Sequence, residues 1–207
     1  MTITAGADGS ALGNPGPAGW GWYIDADRWA AGGWPHGTNN QGELTAVLDL
    51  LRQTSHLAED LVIYCDSQYA IKSITEWMPG WKKRGWRKAD GKPVANLELL
   101  QALDAEMTKA RAAGRRIDFR WVKGHAGHGL NEQADRLANG AAAAYQAGRV
   151  PDPGPGIAGT DRTARDVLTG GRPAGTQSPG PEVNEPARRR TTSYPDLETP
   201  EAPTLFD

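Results

Sequence analysis

Leu61-Val62-Ile63-Tyr64-Cys65-Asp66-Ser67 decides the fold class. Five consecutive apolar residues suit a strand buried on both faces, as in the parallel part of a sheet covered by helices. The run stops abruptly at Asp66, and a helix is expected from Ser67, with Tyr69, Ala70 and Ile74 turned inward. Upstream, Leu44, Val47, Leu48 and Leu51 recur at helical spacing, and before them come three extended stretches: Ile3–Asp8, Gly19–Ile24 and Trp29–Trp34. Asp25 and Asp27 mark the turn between the last two. Downstream, Leu99, Leu100, Leu103 and Met107 mark a helix over Leu97–Ala113, stopped by Gly114. Ile117–Val122 alternates like a strand, and Leu130, Ala134, Leu137, Ala138, Ala141 and Tyr145 form the apolar stripe of a final helix. Three strands, then helix, strand, helices, strand and helix predict an α/β domain with a mixed sheet flanked by helices.

The chain changes character after this last helix. All eight tryptophans lie at or before Trp121, whereas residues 150–207 hold 10 of the 15 prolines and a net charge of −3. So little apolar surface cannot offset the entropy of ordering the segment. The expected division is a folded domain over 1–148 and a Pro/Gly-rich, disordered tail over 149–207. A single cysteine, Cys65, excludes an intramolecular disulfide framework and a Cys-rich zinc site. Met1–Ser10 has no basic flank or apolar run, and no stretch approaches the ~18 apolar residues of a membrane span. The expectation is a cytoplasmic protein without a membrane partner.

Four acids stand near the ends of these elements. Asp8 closes the first strand and Asp66 the buried one, Glu43 opens a helix after Thr38-Asn39-Asn40-Gln41-Gly42, and Asp135 sits beside the packed face of the last helix. Taken singly, each has a local explanation as a turn, cap or first-turn acid. Taken together beyond the carboxyl ends of strands, they would repel one another unless hard divalent cations such as Mg²⁺ or Mn²⁺ lay between them.

Trp77–Lys92 carries six basic residues and one acid, with Trp77, Trp81 and Trp86 interleaved among Lys82, Lys83 and Arg84. That is the footprint of a nucleic-acid surface, with cations along phosphates and indoles on sugars or bases. In the alternative reading the charges are a solvated face and Trp81 and Trp86 anchor a protruding helix. Lys123-Gly124-His125-Ala126-Gly127-His128-Gly129 places two histidines among three glycines. It reads either as an exposed loop or as a mobile titratable group near a charged centre.

The segments Thr4–Ser10, Gly13–Pro17, Thr38–Asn40 with Glu43-Leu44, Asp66–Tyr69, Trp81–Trp86, and Trp121–His125 with Asn131, Glu132 and Asp135 resemble bacterial ribonuclease H type 1, in the family's order and spacing. The resemblance runs from about Ile3 to Tyr145. It implies a ribonuclease H-like fold with a five-stranded mixed sheet. It also implies endonucleolytic cleavage of the RNA strand of RNA–DNA hybrids by two-metal-ion hydrolysis, leaving 5′-phosphate and 3′-hydroxyl ends. By motif position, Asp8, Glu43, Asp66 and Asp135 match the metal-binding acids, Asp8 bridging two Mg²⁺ ions per site with substrate, and His125 the catalytic loop histidine. Asn14, Asn39 and Gln68 match contacts to 2′-hydroxyls and minor-groove edges, Thr38 and Asn96 to a DNA phosphate, and Trp77 to DNA sugars. Trp81, Lys82, Lys83 and Arg84 fall in the basic protrusion that some members carry.

Two departures stand out. Gly42 replaces a larger residue before Glu43, so a looser helix start is expected, and His36 stands where an arginine often helps clamp DNA phosphate. A monomer is expected, with Leu205-Phe206 at the tail's end offering a contact to a replication protein. Two other functions compete: a hybrid-binding module that does not cut, and a DNA nuclease of the same fold.

Overall fold

A computed structural model describes residues 1–124 and 126–160. Its strands are β1 (Thr2–Ala11), β2 (Gly16–Asp25), β3 (Arg28–Gly37), β4 (Asp60–Cys65) and β5 (Ile117–Trp121). Its helices are α1 (Asn39–Gln53), α2 (Gln68–Lys72), α3 (Met78–Lys83), α4 (Leu97–Ala112) and α5 (Gly129–Gln146), with a π-helical turn, Ser73–Trp77, joining α2 to α3. The sheet order is β3-β2-β1-β4-β5. β1, β2 and β3 form an antiparallel meander, and β4 and β5 run parallel to β1. This is the expected five-stranded mixed sheet. Among the described residues no helix is long and apolar enough to cross a membrane.

Gly19-Trp20-Gly21-Trp22 in β2 shows how the two layers attach. Side chains alternate across a strand, so both tryptophans fall on one face and both glycines on the other. Trp20 and Trp22 are buried in the core with Leu44, Val47 and Leu48 of α1 and Leu100 and Leu103 of α4. The Trp22 indole donates to Asp49 Oδ2 of α1 at 2.7 Å. On the opposite face, a Cβ at Gly19 would stand 2.1 Å from the Ala138 carbonyl oxygen, and one at Gly21 2.6 Å from Leu137 Cβ. Helix α5, whose inward stripe includes Ala134, Ala138, Ala141 and Ala142, therefore rests its backbone almost on the sheet.

Strand β4 is less enclosed than its composition suggests. Leu61, Ile63 and Cys65 are buried, whereas Val62 and Tyr64 are half-buried. The face opposite α1 is covered over this strand partly by His128, whose ring lies 4.2 Å from that of Tyr64. The reading of β4 as buried on both faces is corrected to burial on one.

Contacts with the domain also continue past the expected boundary at 148. β3 is an edge strand with open backbone groups. The Ala31 N–H donates to the Pro153 carbonyl at 3.3 Å, and the Gly156 N–H to the Trp29 carbonyl at 3.0 Å. Ile157 is buried, and its N–H donates to Gln53 Oε1 at 3.0 Å. The other end of that amide donates to Asp49 Oδ2 at 2.6 Å. Proline and glycine content describes local preference, but one isoleucine and an unpaired strand edge are enough to hold the segment. Residues 149–160 thus belong to the packed domain. The rest of the expected tail, including Leu205-Phe206, lies outside the described residues.

A chain truncated after Thr160 keeps the Ile157 anchor and every contact described above, and serves as the reference. Deleting 149–207 removes the buried Ile157 and its hydrogen bonds, about 2–3 kcal/mol, and lowers Tm by roughly 5–10 °C. Thermal melts of the two truncations make the comparison.

Candidate active site

Asp8 is not at a strand end. β1 pairs with β4 only as far as Gly6 opposite Tyr64, but with β2 it continues through Asp8, Gly9, Ser10 and Ala11. The strand expected to close at Asp8 therefore continues to Ala11, because β2 supplies partners where β4 no longer does. Beyond Tyr64 the flank of β1 is open, and two further acids enter there: Asp66, directly after β4, and Glu43, from the first turns of α1.

Helix α1 reaches this flank through close backbone contact. A Cβ at Gly42 would lie 2.5 Å from the Gly19 carbonyl oxygen and 3.0 Å from Gly9 Cα. The looser helix start expected at Gly42 is thus replaced by a tight one, since only a residue without a side chain lets α1 sit so low on the sheet. Thr38 caps the helix in a capping box: its Oγ1 accepts from Gln41 N–H at 3.2 Å, and its own N–H donates to Gln41 Oε1 at 2.8 Å. Asn39 donates its side-chain amide to Glu43 Oε1 at 3.3 Å and its backbone N–H to Asn14 Oδ1, also at 3.3 Å.

Asp8, Glu43 and Asp66 each bring a carboxylate oxygen within 4.8 Å of the other two. Asp8 and Glu43 are each only 4% exposed, and Asp66 is half-buried. Burial, followed by the charge of Asp66, pushes the Asp8 carboxyl up to about 8, although the Gly9 N–H donates to its Oδ1 at 2.8 Å and works the other way. Burial and then the charges of Asp8 and Asp66 raise Glu43 well above the usual carboxylate range. Burial likewise raises the thiol of Cys65, which leaves no thiolate to compete as a soft ligand. Three hard oxygen donors whose ionisation is opposed by burial and by one another fit a small divalent cation, which would offset both costs.

Asp135 stands outside this triplet, near enough for its charge to help raise Asp8. It is half-buried on α5, where Asn139 donates to its Oδ1 at 2.7 Å. Ser10 of β1 in turn donates to Asn139 Oδ1 at 2.5 Å. That hydrogen bond fixes which end of the Asn139 amide faces Asp135. Neither Ser10 nor Asn139 was distinguishable by spacing as a partner of an acid.

The flanking residues fall into two groups. Asn14, Thr38 and Asn39 gather around the start of α1 beside Glu43, while Gln68 is exposed at the start of α2, two residues beyond Asp66. Asn96, in left-handed conformation before α4 (φ +56°), donates to the Tyr69 hydroxyl at 3.3 Å. The Tyr69 ring meets Trp77 edge-on at 6.3 Å, and Trp77 lies 5.7 Å from Trp81. Trp81 and Trp86 pack against the core, as anchors of the protruding segment would. Lys82, Lys83 and Arg84 are all exposed, and Lys82 is in addition tied to Asp104 of α4 at 2.7 Å. His125 lies outside the described residues.

Comparison with known proteins follows the same lines. The RNase H family model matches residues 2–143. The chain is 48% identical over 163 residues to the ribonuclease H of Tropheryma whipplei, covering 79% of this chain and 97% of that one. It is also 48% identical over 140 residues to the ribonuclease HI of Caulobacter vibrioides, covering 66% and 90% respectively. Among solved structures it is similar to LC9-RNase H1, a type 1 RNase H with the type 2 active-site motif. The TM-score is 0.60 and the identity 27%, over 82% of each chain.

Proposed function

The chain belongs to the RNase H family, and from that premise we propose that it is an endonuclease for the RNA strand of RNA–DNA hybrids, acting as a cytoplasmic monomer and leaving 5′-phosphate and 3′-hydroxyl ends. The convergence of Asp8, Glu43 and Asp66 within 4.8 Å carries this reading. Oxygen-only donors favour Mg²⁺, with Mn²⁺ as an alternative. When bound, such ions supply Lewis acidity to the scissile phosphate and lower the pKa of the attacking water.

The remaining work falls to the chain. Asp8, Glu43 and Asp66 would hold a cation, and Asp135, oriented by Asn139, would complete the site. The side-chain amides of Asn14, Asn39 and Gln68 act as donor or acceptor, which suits them to the 2′-hydroxyl that only the RNA strand carries. Thr38 and Asn96 hold a phosphate of the DNA strand, and Trp77 lies against its sugars. Trp81, Lys82, Lys83 and Arg84 belong to the basic protrusion that adds salt-dependent affinity; all three of these cations are exposed, and Lys83 and Arg84 are the two of them not tied to Asp104. His125 moves a proton at the leaving or attacking oxygen.

A labelled RNA–DNA hybrid, an RNA duplex and a DNA duplex, each with Mg²⁺ or with excess chelator, form the test. Cleavage of the hybrid alone, and only with Mg²⁺, is expected. Hydrolysis that survives chelation, or equal cutting of the DNA duplex, would refute the proposal.

A further inference from the structure

Three contacts from the end of β5 and the residues just after it converge on Cys65 and Asp66. The Val122 N–H donates to the Cys65 carbonyl at 3.0 Å and extends the ladder to the residue before the acid. The indole N–H of Trp121 donates to the Asp66 carbonyl, also at 3.0 Å. Gly124 approaches the carboxylate itself: a Cβ there would lie 2.5 Å from Asp66 Oδ2. Trp121 is 53% exposed. An indole so open to water forfeits much of the stabilisation that burying an aromatic provides, so packing alone does not account for it here. Its polar end has a specific partner at the junction between β4 and α2, where the sheet ladder has ended.

We propose that Trp121 and Gly124 are positioning residues for the metal-binding carboxylate of Asp66. The indole N–H anchors the main chain from which that carboxylate hangs, and the missing side chain at Gly124 leaves it room beside Asp8 and Glu43. The assignment rests on the reading of the three acids as a divalent-cation site. Partners that orient a ligand in this way influence metal affinity about 10–100-fold.

Trp121→Phe keeps the ring and removes the donor, whereas Gly124→Ala keeps the donor and crowds the carboxylate. Both are compared with the full-length parent in three measurements: Mg²⁺ calorimetry without nucleic acid, Mg²⁺ dependence of hybrid cleavage, and thermal melts in chelator. For Trp121→Phe, the Kd for Mg²⁺ and the Mg²⁺ concentration for half-maximal cleavage both rise about tenfold. KM for the hybrid stays within about twofold, and the melting temperature in chelator stays within a few degrees of the parent. Gly124→Ala shifts Mg²⁺ affinity in the same direction and further. Unchanged Mg²⁺ affinity in both variants overturns the assignment. A raised KM at unchanged Mg²⁺ affinity would make Trp121 a nucleic-acid contact, and a lowered melting temperature alone would make it a structural one; either overturns it. A parent chain that binds no Mg²⁺ overturns the reading of the site itself.

Discussion

Asp8→Asn abolishes cleavage and, in metal-free solution at neutral to alkaline pH, raises the melting temperature. The same burial produces both effects. Asp8 is 4% exposed, and its carboxyl is pushed from the ordinary 3.8 up to about 8. The folded chain therefore holds a proton that the unfolded chain releases between about pH 4 and pH 8. Stability from this group is fully present below the unfolded value and is lost as pH rises through the folded one. Asparagine has nearly the same shape and no charge to bury, so it removes that loss. Because the repulsion is shared with Glu43 and Asp66, only part of the shift returns, about 1–3 kcal/mol at pH 8, or roughly 3–8 °C. On the proposed divalent-cation reading of the site, removing the Asp8 carboxylate costs on the order of 10³-fold or more in rate. Hybrid affinity, which the proposed function assigns to other side chains, stays within about threefold. Single-turnover cleavage, hybrid binding in chelator, and melts at pH 5 and pH 8 measure these quantities. A variant that cuts at nearly the parental rate sinks the metal assignment, and an unchanged melting temperature at pH 8 sinks the electrostatic account.

Gly9→Ala, one residue further along β1, is expected to damage fold and activity together. Its Cβ would stand 2.2 Å from the Glu43 backbone nitrogen, 2.5 Å from the Gly42 carbonyl carbon and 2.9 Å from the Asn39 carbonyl oxygen. All three are main-chain atoms of α1, so no rotamer relieves the overlap and the helix start must lift from the sheet. The expected cost is about 3–4 kcal/mol. Glu43 moves away from Asp8, and a displacement near 1 Å lowers the rate about 100-fold. Gly140→Ala serves as the control, since nothing lies within 4 Å of a Cβ on that exposed residue of α5. There the substitution stabilises by about 0.5–1 kcal/mol through helix preference. Denaturant unfolding and steady-state cleavage of the two variants separate close approach from a general intolerance of glycine replacement.

Much of the architecture was legible before any coordinates. Periods of 2.0 and 3.6 residues arise within one element, and together with the apolar run Leu61–Cys65 they identified β2 to β5, α1, α4 and α5; but α1 begins at Asn39 and not at Glu43, β2 begins at Gly16 and not at Gly19, and β3 ends at Gly37 and not at Trp34. Where β1 ends was not legible, because a strand stops where its partners stop, and β2 accompanies it past Asp8 while β4 does not. The segment up to Thr160 was misread for a related reason: Ile157 looks isolated in sequence, and its pocket is built by Gln53 and neighbours about a hundred residues away. Gly42 looked like a weakness because its local cost is visible and the sheet it touches is not.

By itself the sequence determined which chemistry was on offer: four acids without a competing thiolate, amides beside them, cations on one segment, and an order of elements that only a mixed sheet accommodates. Those properties follow from residue type and local period, which need no distant partner. Tertiary structure alone decided which groups meet. It joined Asp8, Glu43 and Asp66, set Asp135 apart on Asn139, committed Lys82 to Asp104 and laid Trp121 against the Asp66 carbonyl. Each of these contacts depends on how closely backbones approach across the sheet, a quantity set by side chains that are absent, at Gly9, Gly19 and Gly42, as much as by those present.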